Sequence, residues 1–468
     1  MGLKTLDDRP NISFNTLLAS AKGSVVSNSS PKPTAVRRRI LAILVSFSLF
    51  SYLLRMNISV AQHFMVPELG LSDIQVGQIF SSFMVGYALF QVPAGVWGDR
   101  RGPRFVLTAA VLSWGFFTLL TGLVPGLVVR GAAAAFLSLL ILRFMLGVGE
   151  SAMYPVMGRV VANWMPLAEH AFSNAVVIAG NTVGSSLAPP LIAYLMQTFG
   201  WRFSFYLTGI FPFGIALLWW WQARDYPEQH LAVNHEELVL IAGGRKTTSA
   251  ASQAPSWWAL CKNWNIAILC LSYFLTSYVM FVFLFWLYIY FVDVRKFSVM
   301  GGGWALSLPF VVATVALPSM GYLSDRLSVR RGPLWGRRTV AMGCLVFCGL
   351  LLLVGAEASG PWMAVAAISL SVACLFSTEG PYWSTVIRLA GPHAGAAGGL
   401  MNMVGNLGGA VSTAMVPFLV HIFGWFGALA AASVAAILAA AFWLLIRSDS
   451  QKPVQTLGGI EQAPGEAK

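Results

Sequence analysis

The stretch ILAILVSFSLFSYLLRMNISVA, Ile40 to Ala61, is an apolar run with one guanidinium, Arg55, in its interior and no acid inside the segment to neutralise it. Roughly 20 apolar residues cross a bilayer as a helix, so the run reads as a membrane span. An ionisable group at that depth costs a few kcal/mol or more, roughly, so such residues face a protein interior or a watery cavity and mark a pathway. A bare arginine there expects an anion.

The rest of the chain fits this reading. Of its 468 residues, 57% are hydrophobic and only 10% charged, against about a quarter charged in an ordinary soluble domain. About twelve apolar runs can be laid along it, beginning near Ile40, Val76, Phe105, Phe136, Phe172, Phe203, Ile266, Gly301, Arg338, Trp362, Gly395 and Gly424. The expected fold is an all-α polytopic membrane protein of two six-helix bundles, residues 37–222 and 263–447, joined by a polar linker at 223–262. Residues 1–36 and 448–468 are polar and read as tails, the first disordered rather than a cleaved signal peptide.

Of 30 Lys and Arg, Arg130, Arg202, Arg295 and Lys296 fall in loops on one side, and Arg55 and Arg143 inside membrane runs. The remainder crowd the other side, at Arg37 to Arg39, Arg100 to Arg104 and Arg326 to Arg338. By the positive-inside rule that side is cytoplasmic and carries both termini. The net charge of +12 is therefore topology, and no nucleic acid is needed to explain it. The five cysteines, Cys261, Cys270, Cys344, Cys348 and Cys374, read as small buried hydrophobes. Neither they nor the six histidines have metal-site spacing, and no cofactor is expected.

An internal repeat supports two halves. Gly95-Val-Trp-Gly-Asp99-Arg100-Arg101-Gly102-Pro-Arg104 follows the second run, and Gly321-Tyr-Leu-Ser-Asp325-Arg326-Leu-Ser328-Val-Arg330 follows the eighth. Small residues let helix ends approach, and Asp and Arg can exchange partners with the neighbouring bundle or cap helix termini. In this alignment Ser328 stands where the first copy has Gly102.

Charged and polar residues inside the runs supply the chemistry. Tyr52, Arg55 and Ser59 share a face of the first helix. Arg143 and Glu150, at i and i+7 on the fourth, are about 10 Å apart along one face. Guanidinium grips carboxylate with two prongs and stays charged. A buried carboxylate beside it can be switched between protonation states by what occupies the arginine. The competing reading of Arg143 with Glu150 is a structural ion pair, and Arg55 could likewise be held by Glu150. In the tenth run, Glu379 stands before Gly380-Pro381 and four residues ahead of Trp383, so it reads either as a second proton site or as a gate at a broken helix. In the eleventh, Asn402 and Asn406 lie in a glycine-rich face suited to packing or to binding a hydroxylated ligand. Tyr278, Trp286 and Tyr290 on the seventh read as packing.

The paired loops are similar to the signature loops of the major facilitator superfamily over about residues 37–447. Arg55-Met-Asn57-Ile-Ser59-Val-Ala61 and Arg143-x3-Gly147-x2-Glu150-x3-Tyr154-Pro155 resemble the first- and fourth-helix motifs of the anion:cation symporter family within it, which includes bacterial sugar-acid transporters and relatives of sialin. The resemblance implies alternating access by two rocking halves, with Arg55 and Arg143 in substrate recognition and coupling. It gives Glu150 the transported proton and places Tyr52, Tyr87 and Asn181 in the cavity. Many bacterial members carry an aspartate just before the first-helix arginine; this chain has Leu54, as sialin-like members lack that acid.

The expected function is transport of a small organic anion, a sugar acid or other carboxylate, driven by protons across a bacterial inner membrane, by a monomer. Sodium-driven, potential-driven or anion-exchange modes are the alternatives on the same fold. No nucleotide-binding G-x-x-x-x-G-K-[ST] occurs, and no nucleophile with a base or metal cluster suggests an enzyme. A non-transporting membrane sensor would be expected to carry an effector domain that neither the tails nor the linker provide.

Overall fold

The computed structural model describes residues 32–242, 260 and 262–447. The expected tails over 1–31 and 448–468, Cys261, and most of the linker's second half lie outside the described residues. Long helices occupy the rest: α1 Val36–Leu69, α2 Asp73–Arg101, α3 Pro103–Leu123, α4 Ala132–Glu150, α5 Met153–Trp164, α6 His170–Phe199, α7 Trp201–Gln222, α8 His235–Ala242, α9 Trp264–Phe285, α10 Val299–Arg331, α11 Pro333–Glu357, α12 Pro361–Phe376, α13 Glu379–Ala390 and α14 Ala394–Phe442. The described residues form an all-α protein whose long apolar helices suit a membrane.

Eleven helical spans are long and apolar enough to cross a bilayer, where the sequence predicts twelve. The difference lies in the last, Ala394–Leu445, which is one helical stretch of 52 residues. It turns at Gly424, whose φ of 69° and ψ of 179° only glycine adopts without strain. The eleventh and twelfth runs are therefore the two arms of one bent element.

Two spans are interrupted by proline. Pro155 has no N–H to offer the carbonyl four residues back and its ring crowds it, and α4 gives way to α5 across Ser151 and Ala152. Pro381 does the same between α12 and α13, at Ser377 and Thr378. Glu150 and Glu379 thus each end or begin a helix at one of these breaks.

The signature loops correct one expectation. Gly102 (φ 87°) joins α2 to α3, and its counterpart in the second half is Gly332 (φ 94°), joining α10 to α11, each followed by a proline. Ser328 is thus not the equivalent of Gly102. The helix α10 is 33 residues against 29 in α2, an extension of about one turn that carries Asp325 and Arg326 back from the joint. The string Arg-Arg-Gly-Pro recurs at both joints, at 100–103 and 330–333. Asp99 pairs with Arg159 of its own half at 3.6 Å. Asp225 accepts from the Arg104 amide at 2.8 Å, while Arg104 stacks on Trp220 at 4.1 Å. Asp325, Arg326 and Arg330 are exposed. Among the described residues, the expected exchange of partners between halves is not made in this conformation.

The linker is not a featureless spacer from its start. Trp164 and Asn163 donate to the carbonyls of Arg224 and Asp225. The buried Glu237 of α8 accepts from Thr34 Oγ1 at 2.5 Å and from the Arg37 guanidinium at 3.3 Å. Its first part is packed onto the N-terminal bundle.

Bonds between the halves gather at the end away from the basic loops. Ser59 and Gln62 both donate to the Phe285 carbonyl at 3.0 Å, a group left free because α9 stops there. Ser307 donates to the Ser186 carbonyl at 2.5 Å, Phe80 packs on the rings of Phe285 and Trp286, and His63 lies 3.5 Å from Asp293. That end is sealed.

Candidate functional site

Beneath the seal, α1, α2, α4 and α9 meet around a narrow cavity lined by Arg55, Ile58, Phe80, Phe83, Arg143 and Phe285. In this conformation it holds no more than about one water molecule. Both sequence-predicted arginines reach it, and their situations differ.

Arg55 is not bare. Its Nη2 donates to Glu150 Oε1 at 2.6 Å, with both side chains almost wholly buried. The acid comes from α4, so no inspection of the first helix could supply it. Ser51, one turn before Arg55, donates to the same carboxylate oxygen. Tyr52, Phe83 and Tyr87 surround the guanidinium with ring centroids 4.7, 5.1 and 5.4 Å away.

Arg143 is the bare one. It is buried, its Nε and Nη2 have no hydrogen-bond partner, and among the described residues no carboxylate lies within ion-pair distance. The face of Phe205 lies 5.6 Å from the guanidinium, and Glu150 is within Coulombic reach of it though not in contact. Unsatisfied buried donors are rare, because each costs about 1–3 kcal/mol, and among the described residues nothing accepts from these two.

The polar wall continues toward the basic end. Tyr154, one turn past Glu150, donates to Asn181 Oδ1 at 2.6 Å. Asn57 of the first-helix motif is occupied with packing: it donates to Thr208 at 2.8 Å and accepts from Ser204 at 3.1 Å, fastening α1 to α7.

From the second half, Glu379 accepts from Tyr273 at 3.1 Å and from Trp383 Nε1 at 3.1 Å. Tyr52 is within Coulombic reach of the partly buried Glu379 as well as of Arg55 and Glu150. Trp383 lies against Gly398 of α14. Asn406 donates its amide to the Asn402 carbonyl of its own helix at 2.8 Å, and Asn402 is half-buried. Tyr278, Trp286 and Tyr290 are buried.

Sequence reasoning singled out neither Ser51 nor Tyr273. Ser51 stands four residues before Arg55, on its helical face, which was a usable signal. Tyr273 is brought to Glu379 by tertiary packing alone.

The family profile of the Major Facilitator Superfamily matches residues 44–413. The chain is 32% identical over 399 residues to a probable sulfoacetate transporter of Cupriavidus necator, covering 83% of this chain and 88% of that one. It is 28% identical to a hexuronate transporter of Bacillus subtilis, covering 89% and 96%. Among solved structures it resembles a bacterial homologue of the lysosomal transporter Spinster in an inward-facing, unoccupied conformation, with a TM-score of 0.71 and 17% identity over 90% of this chain and 98% of that one. A D-xylose-proton symporter gives 0.69 at 16%, over 90% and 99%.

Proposed function

Because the chain belongs to the Major Facilitator Superfamily, we propose that it is a secondary transporter that carries a small organic anion, a sugar acid or other carboxylate, with protons through the cavity between its halves. The reading rests above all on Arg143, a buried guanidinium with unused donors beside a second guanidinium that is already engaged. Relatives named for sulfoacetate and hexuronate are consistent with an anionic cargo.

Ionised Glu150 holds Arg55 and Ser51. Protonation of Glu150 frees Arg55 to join Arg143, and the two guanidinia clasp the carboxylate from two sides. Tyr52, Tyr87 and Asn181 line its path, with Trp383, Asn402 and Asn406 on the opposite wall. With Glu150 neutral and both arginines sharing the cargo carboxylate, the site keeps the same net charge but leaves neither guanidinium without a partner, and the halves, residues 37–222 and 263–447, can rock past one another. The loops at Gly95, Asp99, Arg100, Gly102 and Arg104, and at Gly321, Asp325, Arg326 and Arg330, meet when the basic end closes. Glu379 is a second proton site, taking up a proton as Tyr273 and Trp383 let go. The basic end faces the cytoplasm of a bacterial inner membrane, and one chain suffices.

Exchange of one anion for another, or sodium- or potential-driven uptake, is the second reading. It is favoured by Leu54, a buried apolar residue beside Arg55, which leaves Glu150 without an acidic neighbour on α1. Proteoliposomes with imposed proton, sodium and voltage gradients separate the two. Proton-driven accumulation supports the first, whereas accumulation only with sodium, voltage or a counter-anion overturns it.

A further inference from the structure

At the basic end of the second half, the start of α9, the start of α11 and the end of α14 converge on three consecutive residues, Leu445, Ile446 and Arg447. Trp264 Nε1 donates to the Leu445 carbonyl at 3.3 Å, Arg338 donates to the Ile446 carbonyl, and Asn265 clasps the Arg447 backbone through bonds of 2.8 and 3.1 Å. Two guanidinia are thereby fixed on one rim. Arg338 stacks on Trp335 at 5.3 Å and Arg447 on Trp264 at 5.9 Å. Both indoles are more than half exposed, as is Leu444.

Charge distinguishes this rim from its counterpart in the first half. There Arg104 bonds to the Trp220 carbonyl at the end of α7 and stacks on its ring, but the Asp225 carboxylate accepts from its backbone. Around Arg338 and Arg447 no acid lies within ion-pair distance among the described residues, and Arg338 Nε has no partner. Two guanidinia with no acid within ion-pair distance among the described residues sit above exposed indoles and leucine at the end of membrane-crossing helices. Basic pockets between helices on the cytoplasmic side suit anionic headgroups, and indoles suit the level where headgroup meets acyl chain.

We propose that the rim formed by Arg338, Arg447, Trp335 and Trp264 binds the phosphodiester headgroup of an anionic phospholipid, its acyl chains lying along Leu444 and Leu445. The site is distinct from the transport cavity and does not depend on the cargo.

The test is native mass spectrometry of the full chain titrated with phosphatidylglycerol or phosphatidylcholine. Wild type is expected to retain phosphatidylglycerol selectively. Arg338→Gln with Arg447→Gln should weaken that retention roughly tenfold or more, to near the phosphatidylcholine level, while Arg38→Gln with Arg39→Gln, an equal loss of charge on the same face, leaves it within about twofold. Arg338 also ties α11 to α14, so Arg447→Gln alone is the second arm: its side chain stacks on Trp264 and is exposed, and its loss should cost about threefold or more. Equal weakening by the Arg38/Arg39 control, or no weakening by Arg447→Gln, overturns the proposal. Displacement of the lipid by excess inorganic phosphate overturns it too, by showing a site for free phosphate.

Discussion

Replacing Arg143 and replacing Arg55 should have opposite effects on the empty protein. Arg143→Met removes two buried donors that bond to nothing, each costing about 1–3 kcal/mol. What it gives up is the contact with Phe205, about 0.5–1 kcal/mol or somewhat more when desolvated, and the longer-range attraction to Glu150. The empty variant should therefore be as stable as wild type or more so by about 1 kcal/mol or more. Arg55→Met instead strands the Glu150 carboxylate in a pair whose side chains are 4% and 5% exposed, a loss of about 3–5 kcal/mol. With anion present the order changes. Two charge-assisted bonds at about 1.5–3 kcal/mol each are lost with Arg143, so affinity should fall about a hundredfold or more. Thermal unfolding of both purified variants against a carboxylate panel reads all of this at once, since a ligand stabilises according to its concentration over its Kd. The reasoning is refuted if empty Arg143→Met unfolds as early as Arg55→Met, or if it keeps the wild-type shift with the best ligand.

Other perturbations probe the frame. Ser59→Ala with Gln62→Ala removes two bonds to the Phe285 carbonyl, about 1 kcal/mol each. This should move the population toward opening at the sealed end, read as faster labelling of a cysteine placed beside Ile58. A methyl on Gly147 would meet the Phe83 carbonyl at 2.1 Å, so Gly147→Ala should lower thermal stability by about 1–3 kcal/mol; an unchanged melting temperature would deny the close packing of α2 on α4. Glu379→Gln should keep cargo binding and lower the protons moved per anion, measured by reversal potential in proteoliposomes. An unchanged ratio would leave Glu379 as a gate.

The helices were legible because bilayer thickness imposes its length on the sequence: the apolar runs from Ile40 to Gly395 begin close to the observed helices. Gly424 was legible as a boundary but not as a bend within one element, since a run's length says nothing of how its end is turned. The joint of the second half was placed about a turn early because Ser328 was set against Gly102, while the joint itself is set by glycine with positive φ before proline, at Gly102 and Gly332. At the site, residue types and depths were readable from helical spacing. Pairing was not. Glu150 shares a helix with Arg143 yet bonds to Arg55, because helix packing decides which guanidinium the carboxylate meets.

The central claim is that Glu150 couples proton to cargo by its hold on Arg55. Glu150→Gln keeps an acceptor for Ser51 and Arg55 but cannot ionise. In proteoliposomes it should sustain counterflow exchange of the anion while losing accumulation driven by a pH gradient. Undiminished accumulation in that variant would contradict the account.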